Sequence, residues 1–204
     1  MLQGLNPLLR RIPLWLVWGL GLLPLALLLY DGFRGGLGVD PVVTIEHRLG
    51  RTGYYFLIAG LAVTPLLRLT GLSLIRFRRA LGLLAFAYIV LHLIAWVWFD
   101  MGLIWRQMLS DVVKRPYLTM GMAGLLALLP LALTSNDASI RRLGGKLWRQ
   151  IHRLVYLAVP LAGLHYLWVG KVFEAAPLLW LGFVLLLLAL RPLLARKRSK
   201  PAQQ

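Results

Sequence analysis

Six runs of apolar residues divide the chain, at roughly 14–30, 53–67, 80–98, 117–133, 151–169 and 175–194. Within each run the apolar residues are nearly continuous rather than striped at the 3.6-residue period of a surface helix. That pattern predicts helices surrounded by lipid rather than helices with one face on a soluble core. Several runs sit near the short end of the about 17–25 residues that a spanning helix needs. Pro24, Pro65, Pro130 and Pro160 lie inside runs. Membrane helices tolerate such prolines because neighbouring helices can satisfy the freed carbonyls. The expectation is an all-α, polytopic membrane protein, a six-helix transmembrane bundle over residues 1–194 with a basic cytoplasmic tail over 195–204. The opening "MLQGLNPLLRRIPLWLVWGLGLL" has the charge and apolar order of a signal peptide. No small-x-small cleavage site follows, so it is read as a retained first helix.

Composition sharpens this picture. The 204 residues are 59% hydrophobic, and the mean hydropathy is +0.73. Cysteine is absent. That excludes disulfides, thiolate metal sites, iron–sulfur clusters and covalent haem attachment through CxxCH. The net charge of +16 invites a nucleic-acid reading. The basic residues, however, cluster at the ends of apolar runs, where they set membrane orientation, and no nucleic-acid partner is expected. The N-terminus, the second and fourth loops and the C-terminus carry sixteen of the 23 Lys and Arg, and the other loops carry seven. The positive-inside rule then puts both termini in the cytoplasm. Trp96, Trp98, Tyr166 and Trp168 fall near the outer interface and Trp148 near the inner one, as aromatic anchors of helix depth.

Direction and rise place the histidines. His92 lies twelve residues into the outward-running third span, about 18 Å along. His165 lies fourteen residues into the outward-running fifth span, about 21 Å along. The two share one depth in the outer half of the membrane. His152 sits about 20 Å below His165, near the cytoplasmic face. His47 lies at the outer mouth of the second span. Two level imidazoles on different helices suit axial ligation of one haem iron, a geometry for electron transfer rather than oxygen binding. Histidines that merely bond between helices are the plain alternative, but ionisable groups inside a membrane are functional candidates by default. On an ideal helix His152 and His165 point about 140° apart, with Pro160 between them.

The stretches "RFRRALGLLAFAYIVLHLIAWVWFD" and "SIRRLGGKLWRQIHRLVYLAVPLAGLHYLW" carry a resemblance over essentially the whole chain. The W-x-x-x-H-R-x-x-Y pattern, with a second histidine thirteen residues later, resembles the MsrQ (YedZ) family within the ferric-reductase-like transmembrane group. The resemblance implies a haem b electron-transfer subunit held between the third and fifth spans. It implies electrons from the quinone pool, or from a cytosolic flavin reductase, passed to a periplasmic molybdenum-containing methionine-sulfoxide reductase, MsrP, that repairs oxidised periplasmic proteins. It also implies bound FMN. By the same resemblance His92, His152 and His165 match the family's histidines. In oxidases of the wider group both of these spans bear two histidines and hold two stacked haems. Here Arg78, with Arg79 beside it, stands fourteen positions before His92. One haem, on His92 and His165, is therefore expected, and a second on His152 stays open, as does a quinone or flavin site there. Arg78, Arg79 and Arg153 are candidates for haem propionates, a flavin phosphate or lipid headgroups.

No GxGxxG fingerprint follows a strand, so NADPH oxidation by the chain itself is not expected. Two rivals remain: a stand-alone ferric- or oxygen-reducing cytochrome b, and a cofactor-free transporter or assembly subunit. The second expects intramembrane acids along a path, and no Asp or Glu falls within any of the six runs.

Overall fold

The computed structural model describes residues 2–170 and 174–196. Nine α-helices run through the described residues: α1 (Asn6–Arg11), α2 (Leu14–Phe33), α3 (Pro41–Thr70), α4 (Arg78–Ala95), α5 (Trp105–Lys114), α6 (Pro116–Leu133), α7 (Asp137–Ile151), α8 (Val155–Val169) and α9 (Ala175–Arg196). A π-turn, Trp96–Asp100, continues α4, and a 3-10 turn, His152–Leu154, joins α7 to α8. Five segments are long and apolar enough to cross a membrane: Leu14–Phe33, Pro41–Thr70, Ile75–Asp100, Pro116–Leu133 and Ala175–Leu194. The α8 helix has 15 residues, about 22 Å of rise, short of the bilayer core of about 30 Å. The chain is a polytopic helical membrane protein.

The second apolar run is only the inner part of its helix. Asp40 accepts the Val43 N–H at 3.1 Å, and Pro41 opens α3, so helix begins twelve residues before residue 53. Gly71, with φ of 76°, closes it. The early turns place Glu46 inside a membrane-crossing segment, which the run boundaries had kept free of acids. Two stretches expected as loops are amphipathic helices. In α5, Trp105, Met108, Leu109, Val112 and Val113 recur at helical spacing, with Met108 buried against the bundle. In α7, Ile140, Leu143, Leu147 and Ile151 do the same, and Gly144 (φ 72°) breaks the helix. The basic tail differs in its boundary: α9 runs through Arg196, and residues 197–204 lie outside the described residues.

The helices pair as α3 with α4 and α6 with α8, with α9 laid across α3 and α8 and with α2 against α4. Small side chains permit the contacts. Ala85, Ala158 and Val184 are fully buried, and a Cβ on Gly53 would stand 2.8 Å from Ile89. Large apolar side chains of α2, such as Leu20, Leu23 and Leu27, point outward, as lipid contact requires.

The prolines inside α2 and α3 expose backbone that other helices satisfy. Pro65 has no N–H for the Leu61 carbonyl, and Arg191 of α9 donates to that oxygen at 2.6 Å. Beside Pro24, the Tyr88 hydroxyl enters the α2 ladder: it donates to Gly21 O at 2.8 Å and accepts the Leu25 N–H at 3.0 Å.

Candidate functional site

Among the described residues, two cavities lie toward opposite ends of the bundle, the outer and inner ends of the expected orientation, and Leu128 borders both. The outer cavity, about 240 Å³, is walled by apolar side chains including Ile89, Leu93, Met122 and Leu125. His92 of α4 and His165 of α8 both line it, with ring centroids 6.1 Å apart and planes at 67°.

Each ring is oriented by a helix other than its own. His92 Nδ1 lies 2.9 Å from the Glu46 carbonyl of α3, and His165 Nδ1 lies 2.8 Å from the Tyr117 carbonyl of α6. A carbonyl oxygen only accepts, so both Nδ1 atoms carry the proton and donate. Nε2 is then the nitrogen with a lone pair in each ring. Metal-binding histidines are typically held this way, by an N–H on the far nitrogen given to a backbone carbonyl.

The spacing tests what such a pair can hold. With a metal–imidazole bond of about 2 Å, two coaxial ligand rings stand roughly 6.3 Å apart at their centroids. Among the described residues no group of three or more His, Asp or Glu gathers for a metal. A metal held by side chains alone takes three or four such ligands. Two imidazoles at 6.1 Å, each with Nδ1 committed to a carbonyl, fit instead an iron whose remaining ligands come from a macrocycle. Glu46 Oε1 and Tyr54 Oη are buried in the cavity wall without a protein hydrogen-bond partner, polar atoms for which a bound molecule would supply the missing contact. His47, Arg51, Asp100 and Arg115 also line this cavity.

The inner cavity is larger, about 720 Å³, and basic. It brings together His152, Arg78, Arg79 and Arg153, with Lys146 and Arg149. His152 sits in the 3-10 turn rather than on α8, so the 140° offset of an ideal helix does not apply to it. Its Nδ1 donates to its own chain four residues back, the Trp148 carbonyl at 3.0 Å, and Ser135 Oγ is 3.5 Å from Nε2. The Trp148 ring stacks on the imidazole at 3.8 Å while its Nε1–H donates to Thr134 O at 2.8 Å. Arg79 is partly engaged, in an ion pair with Asp137 at 2.6 Å.

The model of the ferric reductase like transmembrane component family matches residues 49–163, from α3 into α8. A heme-binding subunit MsrQ of protein-methionine-sulfoxide reductase from Brucella anthropi is 42% identical over 187 residues, 92% of this chain and 84% of that protein. Its counterparts from Brucella ovis and Brucella canis are each 45% identical over 192 residues, 93% of this chain and 86% of theirs. The chain belongs to the MsrQ family. No solved structure matches it. The stretch matched by the family model contains His92 and His152, while His165 lies two residues beyond its end.

Within this MsrQ-family chain the sequence-based candidates fall into two separate groups. His92 and His165 share one cavity; His152, Arg78, Arg79 and Arg153 share the other. Two aromatic residues assigned to interface belts do something more specific. Trp148 packs on His152, and Tyr166 meets Tyr54 edge-on at 6.0 Å in the outer cavity. The carbonyls that hold the histidines carry no side-chain signature. The only sequence trace they leave is a glycine four residues after each, Gly50 after Glu46 and Gly121 after Tyr117.

Proposed function

We propose that this protein is the haem-binding membrane subunit of a methionine-sulfoxide reductase system, with one haem b between His92 and His165. The observation that carries the proposal is the facing histidine pair, 6.1 Å apart, each ring with Nδ1 committed to a backbone carbonyl. The names of the Brucella relatives support the same cofactor and system. When bound, the haem supplies one-electron exchange between its ferric and ferrous states.

The residues around it have separable tasks. His92 and His165 would hold the iron through Nε2, and a haem held by two histidines would suit electron transfer rather than oxygen binding. The carbonyls of Glu46 and Tyr117 strengthen those nitrogens as donors and fix the tautomer. Ile89, Leu93, Met122 and Leu125 would give the haem apolar walls. Electrons enter from the quinone pool or from a flavin donor, such as a cytosolic flavin reductase, and leave at the outer face to a periplasmic molybdenum reductase, MsrP. The inner cavity, with His152 and the guanidinium groups of Arg78, Arg79 and Arg153, would accept a cofactor bearing acidic groups, a second haem or FMN. Six spans, cytoplasmic termini and an inner-membrane location belong to the same reading.

Purified protein tests this directly. A reduced quinol analogue should give the α band of ferrous haem b, and the reductase partner with methionine sulfoxide should reoxidise it. A purified protein that lacks haem after expression with ample haem supply would overturn the reading.

A further inference from the structure

A Cβ on Gly50 would stand 3.2 Å from His92 Nδ1, and a Cβ on Gly121 would stand 2.9 Å from His165 Nδ1. The arrangement is the same on two unrelated helix pairs. On α3, Glu46 offers its carbonyl to His92 of α4, and Gly50 follows one turn later. On α6, Tyr117 offers its carbonyl to His165 of α8, and Gly121 follows one turn later.

Helix geometry explains the recurrence. A helical carbonyl points along the axis toward residue i+4, and the side chain at i+4 leans back over the preceding turn. Any Cβ at that position therefore screens the carbonyl from a neighbouring helix. Glycine leaves it open, so an imidazole can lie across the helix and donate Nδ1–H to an oxygen that already accepts the i+4 N–H.

We propose that Gly50 and Gly121 are positioning residues for the redox site. Their missing side chains admit the histidine rings to the Glu46 and Tyr117 carbonyls, and this contact aims both Nε2 atoms at the cavity. The assignment rests on the haem reading above and concerns how the ligand rings are held. The two glycines differ in how much room they leave. At 2.9 Å the ring of His165 must shift to admit a methyl group. At 3.2 Å the ring of His92 needs to give only a few tenths of an ångström. Gly182 of α9 supplies the internal control, because a Cβ there would meet nothing within 4 Å and the residue lines neither cavity.

The test uses the full chain, purified with haem incorporated during expression, as Gly50→Ala, Gly121→Ala, Gly182→Ala, His92→Ala and His165→Ala. Alanine favours a helix over glycine, so a loss in the glycine variants cannot come from weakened helix formation. Gly121→Ala should lose haem affinity about tenfold or more, as changes to partners of metal-bound histidines do, and convert low-spin haem to high-spin. Gly50→Ala should keep the haem with a raised midpoint potential, because a longer Nδ1–H···O bond makes imidazole a poorer donor to ferric iron. Gly182→Ala should match the unaltered protein in spectrum and potential. If Gly121→Ala does not accumulate, Gly50→Ala decides alone. Unaltered spin state and potential in Gly50→Ala and in any recoverable Gly121→Ala, beside haem loss in the histidine variants, would overturn the positioning role alone. Unchanged spectra in both histidine variants would overturn the haem reading, and the positioning role with it.

Discussion

His165 at the outer cavity and His152 at the inner one lie on one stretch of chain, yet their Nδ1–H groups are anchored in different ways. His165 reaches across to Tyr117 of α6, and its partner His92 reaches across to Glu46 of α3. His152 bonds to Trp148, one turn back on its own backbone. An anchor on another helix makes ring orientation a property of helix packing. An anchor on the same turn makes it a local property that survives small shifts of the bundle. The cavities differ accordingly. The outer one is small, lined by apolar side chains together with charges of both signs, and flanked by two imidazoles; the inner one is three times as large by volume, basic and served by one. The outer site is built for one ligand geometry. The inner site can accept a cofactor through charge as much as through ligation.

The sharpest way to break this contrast is to remove one histidine at a time. His92→Ala or His165→Ala should lower haem in the outer site tenfold or more, whereas His152→Ala should leave the outer low-spin spectrum intact. Haem-to-protein ratios and absorption spectra of the three variants check this. Trp148→Ala comes next. It removes an aromatic stack worth about 0.5–1.5 kcal/mol and should weaken inner-site occupancy up to about tenfold. A changed outer spectrum in that variant would mean that the two cavities are not independent.

Arg191→Met probes the scaffold between them. It leaves the Leu61 carbonyl, freed by Pro65, without its donor, and should cost about 1–2 kcal/mol of stability, read as a lower thermal midpoint in detergent. The outer spectrum should not change, because Leu61 lies about three turns from Gly50 along α3.

The smallest effect is expected at the inner surface. The Arg79 guanidinium holds the Asp137 carboxyl below its ordinary value, first through their hydrogen bond and then through charge. A carboxyl depressed in the folded state adds stability that is present above its unfolded pKa and is lost as pH falls through the folded one. The tie between α4 and α7 should thus weaken only below the ordinary carboxylate range of about 4. Thermal midpoints of Asp137→Asn should show a slightly flatter acid limb than those of the unaltered protein, and equal limbs would remove the pair from the account.

Much of the fold is legible in the sequence. Continuous apolar runs announced membrane helices, and counting rise along two outward-running spans put His92 level with His165. Side-chain periodicity failed where backbone chemistry decided the outcome. The early turns of α3 mix Glu46, Arg48 and Arg51 with apolar residues, so the run seemed to start at residue 53, although Asp40 and Pro41 mark the true helix start. The charges of α5 and α7 drew attention to orientation and hid an amphipathic period. Gly50 and Gly121 carry no signal in the sequence, because a glycine's service to a carbonyl four residues earlier shows only when another helix arrives. Pro65 and Arg191 stand far apart in the chain, and nothing local joins them.

The central claim is that His92 and His165 ligate one iron. Electron paramagnetic resonance of the oxidised protein tests it most directly. Imidazole planes at 67° predict a strongly anisotropic low-spin signal, present in the unaltered protein and in His152→Ala and lost in His92→Ala and His165→Ala. The same low-spin signal persisting in both of the latter variants would contradict the account.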